Sequence, residues 1–128
     1  MLLPRAAVAR DLVPTELARR GARVDVVEAY RTVLPDEAAA RAGEIFGSAR
    51  LPDWITFTSS STVQNFVAAL GGPPPAGVKV ASIGPVTTAT ARKLGVAVTA
   101  EARVFTVEGL VEAILEMCET ELAPPTSE

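Results

Sequence analysis

Val80-Ala81-Ser82-Ile83-Gly84-Pro85-Val86-Thr87-Thr88 is the stretch whose reading decides the fold. Its short apolar run, bounded by a glycine and a proline, has the composition of a buried strand. Gly84 is expected to turn the backbone tightly, and Pro85 fixes φ for the first turn of a helix running through Ala89 to Leu94. A strand that stops, turns and opens a helix leaves several backbone N–H groups unpaired at the positive end of the helix dipole. Thr87 and Thr88 are expected to add hydroxyls at that edge. Such a turn can hold a carboxylate or phosphate without a lysine, although many α/β proteins use the same turn only as a connector.

Working outward, the same strand–turn–helix pattern recurs. Trp54-Ile55-Thr56-Phe57-Thr58 reads as a strand, followed by Ser59 and Ser60 as capping types. Val63, Phe66, Val67 and Leu70 then follow at i, i+3, i+4, i+7, the spacing of an amphipathic helix. Upstream, Leu2–Ala6 resembles a strand under way, and Asp11–Arg20 a helix capped by Asp11 and closed by Gly21. Residues 23–30 alternate as a strand, 31–35 form a connector because Pro35 disfavours a helical Leu34, and Asp36 caps an alanine-rich helix to Phe46. Downstream, Val96–Thr99 is expected as a short strand. Thr106 caps a long helix whose apolar face is expected to hold Val107, Leu110, Val111, Ile114, Leu115 and Cys118. Strands alternating with helices imply βαβ units: an α/β, flavodoxin-like parallel sheet with helices on both faces.

Composition narrows the chemistry. The 128 residues carry 12 basic and 15 acidic side chains, so net charge −3 gives no electrostatic footprint for nucleic acid. No apolar run approaches the roughly 18 residues of a membrane span, and the first residues match no targeting peptide. One cysteine, Cys118, excludes an intrachain disulfide and makes a reducing, cytoplasmic setting the expectation. The chain contains no histidine, which removes Ser-His-Asp and Cys-His machinery and the usual zinc sites. Neither glycine-rich nucleotide motif occurs. Catalysis must therefore come from carboxylates, hydroxyls, the single tyrosine or backbone dipoles.

Candidate site residues follow from those limits. Thr58, Ser59 and Ser60 at one turn, and Gly84, Pro85 and Thr87 at the other, would form a neutral, donor-lined rim suited to a polyanion. Plain helix capping explains Ser59 and Ser60 equally well, and a solvent-facing first turn explains Thr87 and Thr88. Tyr30 ends a strand; its phenol can donate a proton to a leaving oxygen, while a half-buried, hydrogen-bonded tyrosine is the structural alternative. Arg5, Arg10 and Arg31 are available to anions but are ordinary surface types. Trp54 and Phe57 read as core, and Cys118 as inert packing.

Taken in succession, Asp53–Ser61, Val78–Thr87, Leu94-Gly95-Val96 and Glu108-Gly109-Leu110-Val111 resemble the C-terminal half of uroporphyrinogen-III synthase. Leu2-Leu3-Pro4-Arg5, Gly21–Val24 and Ala29–Thr32 resemble the segment before that enzyme's chain crosses between its two domains. The resemblance spans about residues 2 to 115. It implies a cytosolic, cofactor-free and metal-free lyase of tetrapyrrole (haem) biosynthesis. That enzyme cyclises hydroxymethylbilane with loss of water and inversion of ring D. It further implies that Tyr30 assists departure of the hydroxyl group and that Thr58, Ser59, Ser60, Gly84, Pro85 and Thr87 contact substrate carboxylates. Family members are about twice this length. By that pattern residues 1–29 end one α/β domain, 30–35 are a linker, 36–123 form the bulk of the other domain, and 124–128 are a disordered tail. An incomplete sheet is then expected to associate with the missing N-terminal half or with itself. The alternative from another class is a non-catalytic α/β module that binds an anionic small molecule. A receiver-like domain is set aside because the strand ends carry Ser and Thr rather than an acidic cluster.

Overall fold

Two parallel sheets organise the chain in a computed structural model that describes residues 1–124. The expected tail beyond Pro124 lies outside the described residues. The chain divides into two compact units, Met1–Pro35 and Asp36–Glu128.

The first unit is a single βαβ motif. Strand β1 (Leu2–Ala6) pairs in parallel with β2 (Asp25–Tyr30), Leu2 opposite Asp25, with an irregularity at Arg5/Ala6. Helix α1 (Leu12–Arg19) connects them. Asp11 stands at the N-cap position but makes no capping bond, because its carboxylate is held by the Arg5 guanidinium at 2.8 Å. The C-terminus closes as expected. Gly21, at φ 89°, lets the Ala22 N–H reach Leu17 O (2.9 Å) and its own N–H reach Ala18 O (3.0 Å). β2 departs from expectation: its residues alternate in type, yet all six are exposed. Two strands and one helix cover only part of each other's surface, so alternation alone does not bury a face.

The second unit holds β3 (Trp54–Phe57), β4 (Lys79–Ser82) and β5 (Ala100–Glu101) in the order β3-β4-β5, all parallel. Val80 and Ala81, successive in β4, point to opposite faces and found two cores. On one face Phe57, Val63, Val80, Ala91 and Val96 pack with α3 (Ser60–Leu70) and α4 (Pro85–Lys93). Helix α2 (Ala38–Phe46) adds an edge-to-face contact, Phe46 on Phe66, with ring centroids 5.5 Å apart. On the other face Ala81, Ala100 and Ala102 receive Leu110 and Ala113 of α5 (Val107–Leu122).

Several expected boundaries move, each for a local reason. The helix expected from Asp36 starts at Ala38, with Glu37 at its N-cap position and no side-chain capping bond. Thr58 falls outside β3. Val96–Val98 form no strand. The Val96 N–H is taken by Ala91 O (2.8 Å) as α4 closes around Gly95 at φ 82°, which drives the Val96 side chain into the core. β5 forms later, after Thr99 lends its hydroxyl to the Val80 N–H at 3.2 Å and its own N–H to Val80 O. The expected face of α5 is also rotated. Leu110, Ala113, Ile114 and Met117 face the sheet, while Val107, Val111 and Leu115 remain 62%, 49% and 54% exposed. Small residues at Ala81, Ala100, Ala102 and Ala113 allow this close approach.

Candidate functional site

Both candidate turns lie at the C-terminal ends of the parallel strands of the second unit. Beyond β3, Ser59 adopts the extended backbone of an N-cap and accepts from the Thr62 N–H at 3.2 Å. Its Oγ also lies 2.6 Å from Thr62 Oγ1 and 3.2 Å from Ser61 Oγ. The capping reading of Ser59 is therefore correct. Ser60 is the first helical residue rather than a cap. Thr58 is exposed between strand and helix.

Beyond β4, Gly84 takes the N-cap position and Pro85 the first turn of α4. Gly84 has extended backbone, φ −179°, so the strand passes into the helix there without drawing on glycine's conformational freedom. What the missing Cβ permits is the Phe105 ring, whose Cδ1 would lie 3.2 Å from that atom. Ser82, fully buried, donates to Gly84 O at 2.9 Å and closes the turn from beneath. Thr87 and Thr88 do not face solvent; they are 5% and 3% exposed, facing inward from the first turns of α4. The rim is therefore narrower in hydroxyls than the sequence suggests. Thr87 offers its backbone N–H rather than a displayed side chain.

The two turns adjoin. Thr90 Oγ1 donates to Ser60 Oγ at 3.0 Å and lies 3.2 Å from Val86 O, tying the start of α3 to the first turn of α4. Among the described residues the Ser60, Ser61, Val86 and Thr87 N–H groups have no intrachain acceptor. Two helix N-termini thus present four free donors side by side, and neither first turn carries an acidic residue. Such an arrangement can bind carboxylates by main-chain donation with no cationic side chain.

The third strand end contributes differently. Thr106 caps α5, its Oγ1 accepting from Gly109 N–H at 3.0 Å. Phe105, 64% exposed, stands over Gly84. Phe105 and Thr90 were not singled out by sequence reasoning. Thr90 sits mid-helix with no signal beyond its type, whereas Phe105, an aromatic just ahead of a Thr cap, could have been noticed.

Tyr30 belongs to the first unit and ends β2, its backbone O accepting from the Ala7 N–H at 2.8 Å. The residue is 63% exposed in this chain. Arg5 is engaged by Asp11. Among the described residues no group of three or more His, Cys, Asp or Glu side chains could hold a metal ion, and no helix is long and apolar enough to cross a membrane.

Comparison with known proteins gives concordant matches. The family model described as uroporphyrinogen-III synthase HemD matches residues 1–112. A uroporphyrinogen-III synthase of Synechococcus elongatus is 34% identical over 122 residues, 89% of this chain and 46% of that protein. A Methanothermobacter thermautotrophicus protein named for the same synthase is 34% identical over 119 residues, 88% of this chain and 47% of that protein. The crystal structure of uroporphyrinogen-III synthetase from Helicobacter pylori superposes with a TM-score of 0.69 at 17% identity, covering 91% of this chain and 52% of that one. The chain spans about half the length of the relatives it matches.

Proposed function

The chain belongs to the uroporphyrinogen-III synthase family, and from that membership we propose that it supplies the C-terminal half of such a synthase. The substrate is hydroxymethylbilane, a linear tetrapyrrole with eight carboxylates. It is cyclised to uroporphyrinogen III with loss of water and inversion of ring D. The observation that carries this reading is the pair of adjoining helix N-termini with four unpaired N–H donors. Such donors hold a polyanion at modest desolvation cost, since no ammonium or guanidinium must be stripped of water.

The roles then divide by chemistry. The N–H groups of Ser60, Ser61, Val86 and Thr87 bind carboxylates, with Thr58 and Ser59 hydroxyls beside them. Gly84 and Pro85 shape the second turn. The Tyr30 phenol gives its proton to the departing hydroxyl group, which leaves as water. The remaining acceleration comes from folding the substrate so that the correct ring carbon is attacked, an effect of position rather than of a strong acid or base. No cofactor enters the scheme, and the reaction belongs to the cytoplasm. Residues 1–29 end one domain, 30–35 link, and 36–123 form the bulk of the other.

The test is Tyr30→Phe in a full-length protein that carries this sequence. Turnover of hydroxymethylbilane falls at least tenfold while binding, read by fluorescence quenching, stays within twofold. Thr58→Asp should do the reverse, weakening binding at least tenfold through charge repulsion at the rim. Unchanged turnover in the first variant together with unchanged binding in the second would leave a non-catalytic anion-binding module as the better description.

A further inference from the structure

Phe105 is the phenylalanine that the core does not use. The other three pack edge-on, Phe46 and Phe57 each against Phe66, with ring centroids 5.5 and 5.3 Å apart. Phe105 has no aromatic partner among the described residues and stays exposed just beyond β5. Its position is nonetheless fixed, because its neighbours are anchored. The Ala102 N–H donates to Ser82 O at 2.9 Å, and Arg103 holds Glu116 at 3.1 Å. The Val104 carbonyl accepts from the Thr106 N–H at 2.8 Å, and Thr106 caps α5 through the Gly109 N–H. The loop spends its hydrogen bonds on presenting a ring that it does not bury.

Gly84 is the seat of that ring. Its extended backbone is open to any residue, so nothing in its φ calls for glycine. A Cβ there would meet Phe105 Cδ1 at 3.2 Å, Cγ at 3.5 Å and Cε1 at 3.6 Å, one whole edge of the ring. The glycine is explained by the ring it admits. Gly84 is also the N-cap of α4, and the next turn carries the free Val86 and Thr87 N–H donors. The Val86 side chain is itself exposed. An apolar plate and anion-binding donors thus meet at one turn of chain.

A carboxylated pyrrole has both halves of the matching chemistry: a flat, electron-rich ring and carboxylates on short chains from its carbons. Main-chain donors recognise the carboxylates but not what carries them, whereas a ring face recognises the carrier. We propose that Phe105 is a substrate-binding residue. Its exposed face stacks on one pyrrole of the tetrapyrrole, while a carboxylate of that same pyrrole accepts from the Val86 and Thr87 N–H groups. The inference rests on the reading of this site as one for hydroxymethylbilane and adds the contact that selects the ring. Because the loop is ordered beforehand, the stack costs little conformational entropy. The pyrrole keeps its flat face throughout, so the contact holds substrate and transition state alike and acts on KM rather than kcat.

The test places Phe105→Ala, Phe105→Leu and Phe105→Tyr in a full-length protein that carries this sequence. Phe105→Ala should raise both KM and the Kd for hydroxymethylbilane about tenfold, with kcat within about twofold and the thermal midpoint unchanged. Phe105→Tyr keeps the ring and should stay within about twofold in every constant. Phe105→Leu, apolar without a π face, should fall between them. Unchanged KM and Kd in Phe105→Ala would overturn the proposal. So would a lowered thermal midpoint with lower kcat and unchanged KM, the mark of a ring that only supports the fold. Failure of the unsubstituted protein to bind hydroxymethylbilane would overturn the tetrapyrrole reading and this proposal with it, so the two failures show in different proteins.

Discussion

The two units use the same βαβ grammar and reach opposite ends of the burial scale. In Met1–Pro35 none of the six residues of β2 is buried. In Asp36–Glu128, Val80 and Ala81 of β4 are 1% and 0% exposed. The difference is not one of propensity, since Val26 and Val27 are as good strand formers as Val80. It is one of layers. β4 has a strand on either side and helices on both faces, whereas β2 has one strand and one helix, so its apolar side chains meet too few neighbours. A strand's sequence sets its pleat, but partners set its burial.

The sharpest break of this comparison is a truncation at its centre. Phe57→Ala should destabilise the second unit by about 3–5 kcal/mol, because its fully buried ring packs on Val63 and stands edge-on to Phe66 at 5.3 Å. Val27→Ser in β2 should cost less than about 0.5 kcal/mol. Denaturant unfolding read by Trp54 fluorescence and far-ultraviolet dichroism measures both, and equal losses would erase the contrast.

Next in size is Gly109→Ala. A Cβ there would lie 2.1 Å from Val104 O, so the loop carrying Phe105 must shift or the Thr106 cap must open. A loss of about 1–3 kcal/mol is expected, read as a lower thermal midpoint. Gly21→Ala in the first unit meets open space but must hold a φ of 89°. Its cost of about 1–2 kcal/mol is backbone strain alone. Comparing the two separates a packing glycine from a conformational one. Ser59→Ala should cost about 1 kcal/mol by removing the α3 cap, and Asp11→Ala should cost less, because Asp11 makes no capping bond. Amide exchange sharpens the picture with no substitution at all. Protection should be greatest at Val80–Ser82 and near solvent rates through Asp25–Tyr30.

Some features were legible in the sequence for reasons that are local. α3 could be read from Ser59 and the spacing of Val63, Phe66, Val67 and Leu70, since cap and period depend only on neighbours along the chain. The α1 stop at Gly21 and the start of α4 at Pro85 were legible on the same ground. β5 was not. Val96-Ala97-Val98 has strand composition, but the closure of α4 claims the Val96 N–H first. At the candidate site, the positions of both turns were readable, and the hydroxyl count was not. Thr87 and Thr88 look like surface residues until α4 is laid against the sheet, and Thr90 gains a role only when Ser60 is beside it.

The sequence by itself determined the alternation of strands and helices, the neutral character of the two turns and the absence of histidine chemistry. Each of these is a property of composition or of residues within one turn of each other. Only the tertiary structure decided which face of α5 is buried, where the third strand forms, and that Phe105 stands over Gly84. Those outcomes depend on which small residues oppose one another across the sheet and on how many layers are present to cover it. Neither quantity is written in any single stretch of the chain.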